Sequence, residues 1–304
     1  EVGYHLAGSI AADDAWGRYV RSAEEGREPA RLLSFGQLPS TRPRSGGVVL
    51  SANNKMYGSR YPFRLAPFFD PPYRAFRIAE LLHARRKYDA AYFVRMQLDT
   101  FSPIDREFAR RMAAIALHSG DARVRETAEA LDRWSGNFVP SSRLATFEYH
   151  LRAGLEDDET STYAVLQQLR SGDTSPEFEG QLRAAAMDAA TADAPWARAG
   201  AVAVEHPLAP LHFTFLGGAT FPGAGNEYTI RLQEPGFSQS FRAVWDVGDW
   251  DAGGIAIPSG ESGEPGSGHY TDLSAAWVSG RLEPLPFSAR AVTSAARERL
   301  VLAP

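Results

Sequence analysis

The sequence predicts an α+β protein in which a helical lobe is inserted between two β-rich segments. Three observations predict it. Residues 1–50, within a first span of 1–71, are rich in Gly, Pro and Arg, with short apolar pieces between them. Residues 72–192 carry one apolar stripe of helical period after another, and from Asp193 onward Pro, Gly and aromatic residues rise while period-2 alternation takes over. The expected divisions are therefore 1–71, 72–192 and 193–304, with strands of the first and third spans sharing one sheet.

In the first span Gly47-Val48-Val49-Leu50 reads as a strand, preceded by the turn-forming Pro39 and Pro43. Asp70-Pro71-Pro72 reads as a helix start: Asp70 offers an N-cap, and a proline in the first turn lacks only an N–H that has no intrahelical partner. Ala75, Ile78, Ala79 and Leu82 keep the 3.6-residue period of that helix. Ser102-Pro103 opens another, with Ile104, Phe108, Met112 and Ile115 as its core face and an end before Gly120. Further stripes are Val124, Ala128 and Leu131, then Leu144, Phe147 and Leu151, then Tyr163, Leu166 and Leu169, with loops at 136–142 and 172–176. Five or six helices are expected in the lobe. In the third span 228–232 and 241–245 alternate as half-buried strands. A glycine-rich loop at 260–268 leads into His269-Tyr270 and an apolar segment through Trp277, and Leu300-Val301-Leu302 reads as a closing strand. No internal repeat is visible, which argues against solenoids and propellers.

Length and charge exclude several functions. A chain of 304 residues with 44% apolar content can fill a sizeable core of about two domains, and a net charge of −5 argues against a nucleic-acid partner. There is no cysteine, so disulfide frameworks, thiolate metal sites and cysteine nucleophiles are all absent. The longest apolar stretches, such as Ala199 to Val204, fall far short of the ~18–20 residues of a spanning helix, so a soluble chain is expected. Glu1-Val2-Gly3-Tyr4-His5 has no initiator Met, basic n-region or apolar h-region, and a preceding segment is expected.

None of the seven histidines has a persuasive metal-ligand spacing. His269 and Asp272 are three apart, but two ligands without a third favour a loop-anchoring hydrogen bond. No G-x-S-x-G, H-E-x-x-H or Walker sequence occurs. The 260–268 loop lacks a following Lys-Ser/Thr and reads as a surface or site-rim loop rather than an anion cradle. Asn53-Asn54 follows the apolar run 47–50, where a side-chain amide could donate to a developing oxyanion. The alternative is an Asx turn in which both amides bond local backbone, and from the residues alone the turn is favoured. Arg74 and Arg77 share a helix face, either solvated or fixing a neighbouring amide or carboxylate.

Several segments, in this order, resemble the penicillin acylase (penicillin amidase) family of N-terminal-nucleophile hydrolases. They are Ser51-Ala52-Asn53-Asn54-Lys55, Tyr73-Arg74-Ala75-Phe76-Arg77-Ile78, Met96-Gln97-Leu98-Asp99 and Leu131-Asp132-Arg133-Trp134-Ser135-Gly136. His206-Pro207-Leu208, Tyr228-Thr229-Ile230, Ser240 to Asp246 and Gly260 to Asp272 continue the series. Gly3-Tyr4 and Gly8 resemble the strand-turn segment upstream of the Asn-Asn motif. The departures are Glu1, which is not the family's serine and stands beside a Gly3 motif that belongs well inside the β chain, and Gly-Glu-Ser-Gly at 260–263 where many relatives have Gly-Gln-Ser-Gly.

The resemblance implies an αββα sandwich and a precursor that cleaves itself into an α and a β chain, exposing a serine whose own α-amino group acts as base. That serine attacks a carboxamide, forms an acyl-enzyme and releases an amine. By resemblance Asn53 supplies the side-chain donor of the oxyanion hole and Arg77 supports the site. The nucleophile and its backbone oxyanion donor are expected upstream of this chain, which alone is expected to be inactive. Its expected partners are the N-terminal part of the same β chain, the α chain and a small N-acyl substrate. The family's calcium ligands are expected mostly upstream, so no cofactor or metal residue is assigned, and a periplasmic or extracellular compartment is implied. The same residues leave open a non-catalytic ligand-binding relative and an acylase for acyl-homoserine lactones.

Overall fold

Residues 1–80 form one unit and residues 81–304 another in the computed structural model. It describes residues 2–12, 20, 22–24, 31–44, 46–156, 161–172, 176–206, 208–211 and 213–302. Glu1, Pro207 and most of the loop after Gly172 lie outside the described residues.

In the first unit β1 (Tyr4–His5) pairs antiparallel with β2 (Ser40–Thr41), Tyr4 opposite Thr41. They form a two-stranded sheet of their own, where the alternation suggests one larger sheet shared with the C-terminal span. The strand expected at 47–50 is also absent. Gly47 N–H closes a turn onto Arg44 O at 2.8 Å, and the apolar residues after it have no strand partner among the described residues. An extended apolar run becomes a strand only where a neighbour supplies the opposing backbone groups. Helix α1 (Tyr73–His83) begins as the prolines require, with Phe76 N–H donating to Pro72 O at 2.9 Å. Asp70 is not its cap; that carboxylate instead accepts from Arg74.

Caps set the helices of the second unit. Asp89 caps α2 (Ala90–Gln97), accepting from Tyr92 N–H. Ser102 caps α3 (Pro103–Ala116), which has proline in its first turn as the sequence predicts. After α4 (Ala122–Arg133) come α5 (Arg143–Ala153), capped by Ser142, and α6 (Thr162–Ser171), capped by Ser161 and ended by left-handed Gly172. Then come α7 (Pro176–Ala189) and the short α8 (Trp196–Ala199). Ile104, Phe108 and Met112 of α3 and Ala128 and Leu131 of α4 are buried where these two helices pack. Trp134, Phe138 and Trp196 continue the core as edge-on rings 5.3 and 5.1 Å apart. In α5 the buried face is Ala145, Thr146, Glu148, Leu151 and Arg152, rotated from the expected stripe of Leu144, Phe147 and Leu151. Two charges share that face with the apolar residues.

The remaining strands make small antiparallel sheets. β3 (Val202–Glu205) pairs with β4 (Gly218–Phe221), and β5 (Gln233–Glu234) with β6 (Phe237–Ser238). β7 (Arg242–Asp246) pairs with β8 (Asp249–Ala256), followed by α9 (Ser274–Ser279), β9 (Glu283–Pro284) on β8, and α10 (Ala289–Ala295). Phe221, Ala256 and Trp277 form the core beneath them. β7 is the strand expected at 241–245, whereas 228–232 is a turn. There Asn226 N–H donates to Thr229 Oγ1 at 2.9 Å, and the buried Thr229 imitates the inward residue of a strand. The chain turns at Gly225, φ 84°, where a Cβ would lie 2.0 Å from Arg231 O. Leu300, Val301 and Leu302 are exposed and carry no strand.

Candidate functional site

Asn53 lies in a turn at φ 61°, the one positive φ outside glycine among the described residues. Asparagine enters this left-handed region more readily than other side chains. Its backbone carbonyl accepts from Asp70 N–H at 3.1 Å, and its Oδ1 accepts from Arg74 Nη2 at 2.9 Å. The same Nη2 donates to Asp70 Oδ2 at 2.7 Å, closing a ring of three residues. With Oδ1 committed as acceptor, the amide is oriented. Nδ2 has no partner among the described residues and remains a donor on an exposed side chain. An oriented donor beside a guanidinium suits stabilisation of negative charge developing on an oxygen.

The two asparagines divide the readings that the sequence leaves open. Asn54 bonds local backbone: Ala52 N–H donates to its Oδ1 at 3.0 Å, and its Nδ2 donates to Lys55 O at 3.2 Å. Asn53 reaches α1 instead. The hydrogen bond to Asn53 comes from Arg74, while Arg77, three residues further along, donates to Glu80 at 2.9 Å.

A second constellation escapes sequence reading. Arg152, 1% exposed, forms ion pairs with Asp105 at 3.0 Å, Glu156 at 2.9 Å and Glu227 at 2.7 Å. Its guanidinium lies between the Tyr149 and Tyr228 rings, 5.6 and 5.3 Å from their centroids. Asp105 also accepts from Asn226 Nδ2 at 2.7 Å, and Arg152 donates to Thr162 Oγ1 at 2.9 Å. This joins α3, α5 and α6 to the 226–228 turn. Glu148 is fully buried beside it, and neither of its oxygens has a hydrogen-bond partner among the described residues. One cation faces several carboxyls there. Burial, then the Asp105 charge, push the Glu148 carboxyl well above its ordinary range against the pull of Arg152. Burial and Glu227 likewise push Glu234 up to about 7. The sequence signal for this cluster is the pair of charges on the apolar side of α5.

The glycine-rich loop is zipped onto itself, with Gly260 N–H donating to Tyr270 O at 2.8 Å and Ser262 N–H to His269 O at 3.0 Å. A Cβ at Gly260 would lie 1.9 Å from His269 O. His269 Nδ1 meets Asp272 Oδ2 at 2.8 Å on the surface. Among the described residues no group of three or more His, Asp or Glu is placed to hold a metal ion. Among them, too, no helix is long and apolar enough to cross a membrane.

Helices and small antiparallel sheets together make this an α+β protein. It is similar in fold to thermostable penicillin G acylase from Alcaligenes faecalis, with a TM-score of 0.59 over 99% of this chain and 65% of that one, at 12% identity. The penicillin amidase family model matches residues 1–294, and the chain belongs to that family. The penicillin acylase 2 proenzyme of Pseudomonas sp. (strain SE83) is 26% identical over 309 aligned positions, covering 84% of this chain and 39% of that relative. The chain thus spans well under half the length of that curated relative.

Proposed function

We propose that this chain is the oxyanion-donating part of a penicillin acylase-type amide hydrolase, acting on small linear N-acyl compounds. The observation that carries the reading is the Asn53 amide, held by Arg74 so that Nδ2 is left to donate. Family membership supports the chemistry.

In this reading a serine at the N-terminus of a β chain, outside these residues, attacks the carboxamide carbon while its proton passes to its own α-amino group. The carbonyl oxygen becomes an oxyanion and accepts from Asn53 Nδ2 and an upstream backbone N–H. Collapse breaks the C–N bond, and the proton held by the α-amino group leaves with the amine. Water then attacks the acyl-serine, a second oxyanion forms at the same donors, and the carboxylic acid departs. Arg74 and Asp70 keep the amide turned, and Arg77 supports the same helix start. The α chain and the upstream part of the β chain complete the acyl pocket, and the relative named a proenzyme agrees with a processed precursor. A periplasmic or extracellular compartment belongs to the same reading.

The test is trapping of the acyl-enzyme. Intact protein, including the sequence upstream of Glu1, is mixed with an activated acyl ester and analysed by mass spectrometry. A stoichiometric adduct on an N-terminal serine is expected. Absence of any adduct, with no turnover of N-acyl amides, would leave the chain a non-catalytic relative.

A further inference from the structure

The segment between Asn53 and Asp70 is a closed loop, because Asp70 N–H donates to Asn53 O at 3.1 Å and ties its two ends together. Inside it lies a groove of about 530 Å³, lined by Tyr57, Tyr61, Phe63, Phe69, Lys55 and Arg64 among others. The loop packs on itself. Tyr57 is 4.8 Å from Tyr61 and 5.7 Å edge-on from Phe69, Tyr57 Oη accepts from Leu65 N–H at 3.2 Å, and Tyr61 Oη donates to Gln37 O at 2.8 Å. Those four rings are only half-buried, so flat apolar surface faces the groove.

Its charge is one-sided. Among the described residues no acidic side chain lines it. Lys55 Nζ sits 4.7 Å over the Tyr57 ring, and Arg64 is anchored through Nε to Ala66 O at 3.0 Å and through Nη2 to Pro67 O. Neither cation has a carboxylate partner among the described residues. A groove that pairs aromatic faces with two uncompensated cations complements a flat, anionic group. Its position is equally specific, since the contact that closes this loop also positions the Asn53 amide.

We propose that this groove is a substrate subsite for a planar ring carrying a carboxylate, stacked on the tyrosine and phenylalanine faces with its charge toward Lys55 and Arg64. The inference rests on the reading of Asn53 as the donor to the scissile carbonyl. Such a ring could belong to the acyl half of the substrate or to the amine half. Lys55 is then a specificity residue that selects charge, distinct from the Asn53, Asp70 and Arg74 ring.

The experiment compares kcat/KM of the intact enzyme for two matched pairs. One pair is N-acyl-4-aminobenzoate and N-acylaniline with the same acyl group; the other is an amide of 4-carboxyphenylacetic acid and the same amide of phenylacetic acid. Preference for the carboxylate is expected in one pair, and the pair identifies the half that the groove holds. Lys55→Glu should lower that preference about fivefold or more, the effect of reversing one partly exposed charge. No preference in either pair, or a preference that Lys55→Glu leaves unchanged, overturns the subsite. If no amide is hydrolysed, the hydrolase reading fails first, and calorimetric binding decides the groove separately. Benzoate should bind more tightly than benzamide to the wild type and lose that advantage in Lys55→Glu; equal binding of the two probes by the wild type rejects the groove.

Discussion

Arg74 donates to Asn53 Oδ1 at 2.9 Å while the backbone of Asn53 is held at φ 61°, so the amide is set by α1 on one side and by its own turn on the other. The side chain is thereby held in one orientation, the condition under which a hydrogen-bond donor would contribute most to a transition state.

Removing the amide should therefore cost rate rather than fold. Glycine is the proper replacement, because it accepts φ 61° without strain whereas alanine would add a backbone penalty. In the intact enzyme Asn53→Gly should lower kcat by about 10²–10³ with KM nearly unchanged, as for loss of one oxyanion donor. Steady-state kinetics and a thermal melt check this. A near-wild-type kcat removes Asn53 from the site.

Arg74→Met keeps the stem and deletes the bond to Oδ1. The amide survives but turns freely, so kcat should fall by about tenfold, less than for Asn53→Gly. The double variant should be no slower than Asn53→Gly alone, because Arg74 acts through the amide. Additive losses in the cycle would assign Arg74 a separate role.

Glu148 ties stability to pH. Its folded carboxyl is raised well above the ordinary 4.5, so the folded chain holds a proton that the unfolded chain has released. Its stabilisation is complete below the unfolded value and is lost as pH rises through the folded one, by up to about 1.4 kcal/mol per pH unit in that window. Glutamine keeps the size and polarity of the side chain without titrating. The melting temperature of Glu148→Gln should gain on the wild type steadily as pH climbs from 4.5 toward 9. Glu234, raised to about 7, drifts in the same direction but is common to both proteins and cancels. Parallel curves would mean that Glu148 is ionised in the fold.

Much of the helical lobe is legible in the sequence because its signals are local. Ser102 with Pro103, and Ser142 and Ser161, satisfy orphan N–H groups one turn away, and Ile104, Phe108 and Met112 report their face directly. Strands depend on distant partners, which is why 47–50 and 228–232 read as strands and are not. The Asn53 amide is legible as a candidate, but its holder is decided by where α1 starts, and that start brings Arg74 onto it. Glu148 and Arg152 are illegible for another reason: charge ordinarily marks the solvated face, and only the convergence of α3, α5 and α6 makes burial tolerable there.

That convergence gives Arg152 the largest expected effect on stability. Arg152→Met keeps the stem between Tyr149 and Tyr228 but leaves Asp105, Glu156 and Glu227 without their common cation. Breaking a buried pair from one side typically costs about 3–5 kcal/mol, so a large fall in denaturation midpoint is expected at pH 7.5. Glu227, which burial holds above its ordinary value against the pull of Arg152, should then rise further and take up a proton on folding. The deficit relative to the wild type should then shrink as pH falls toward 5, because protonation removes the repulsion that Arg152 otherwise cancels. Urea denaturation of both proteins at pH 5 and pH 7.5 measures the difference. A deficit that stays constant between the two pH values would show that Arg152 acts through its packing between the two rings and not through its charge.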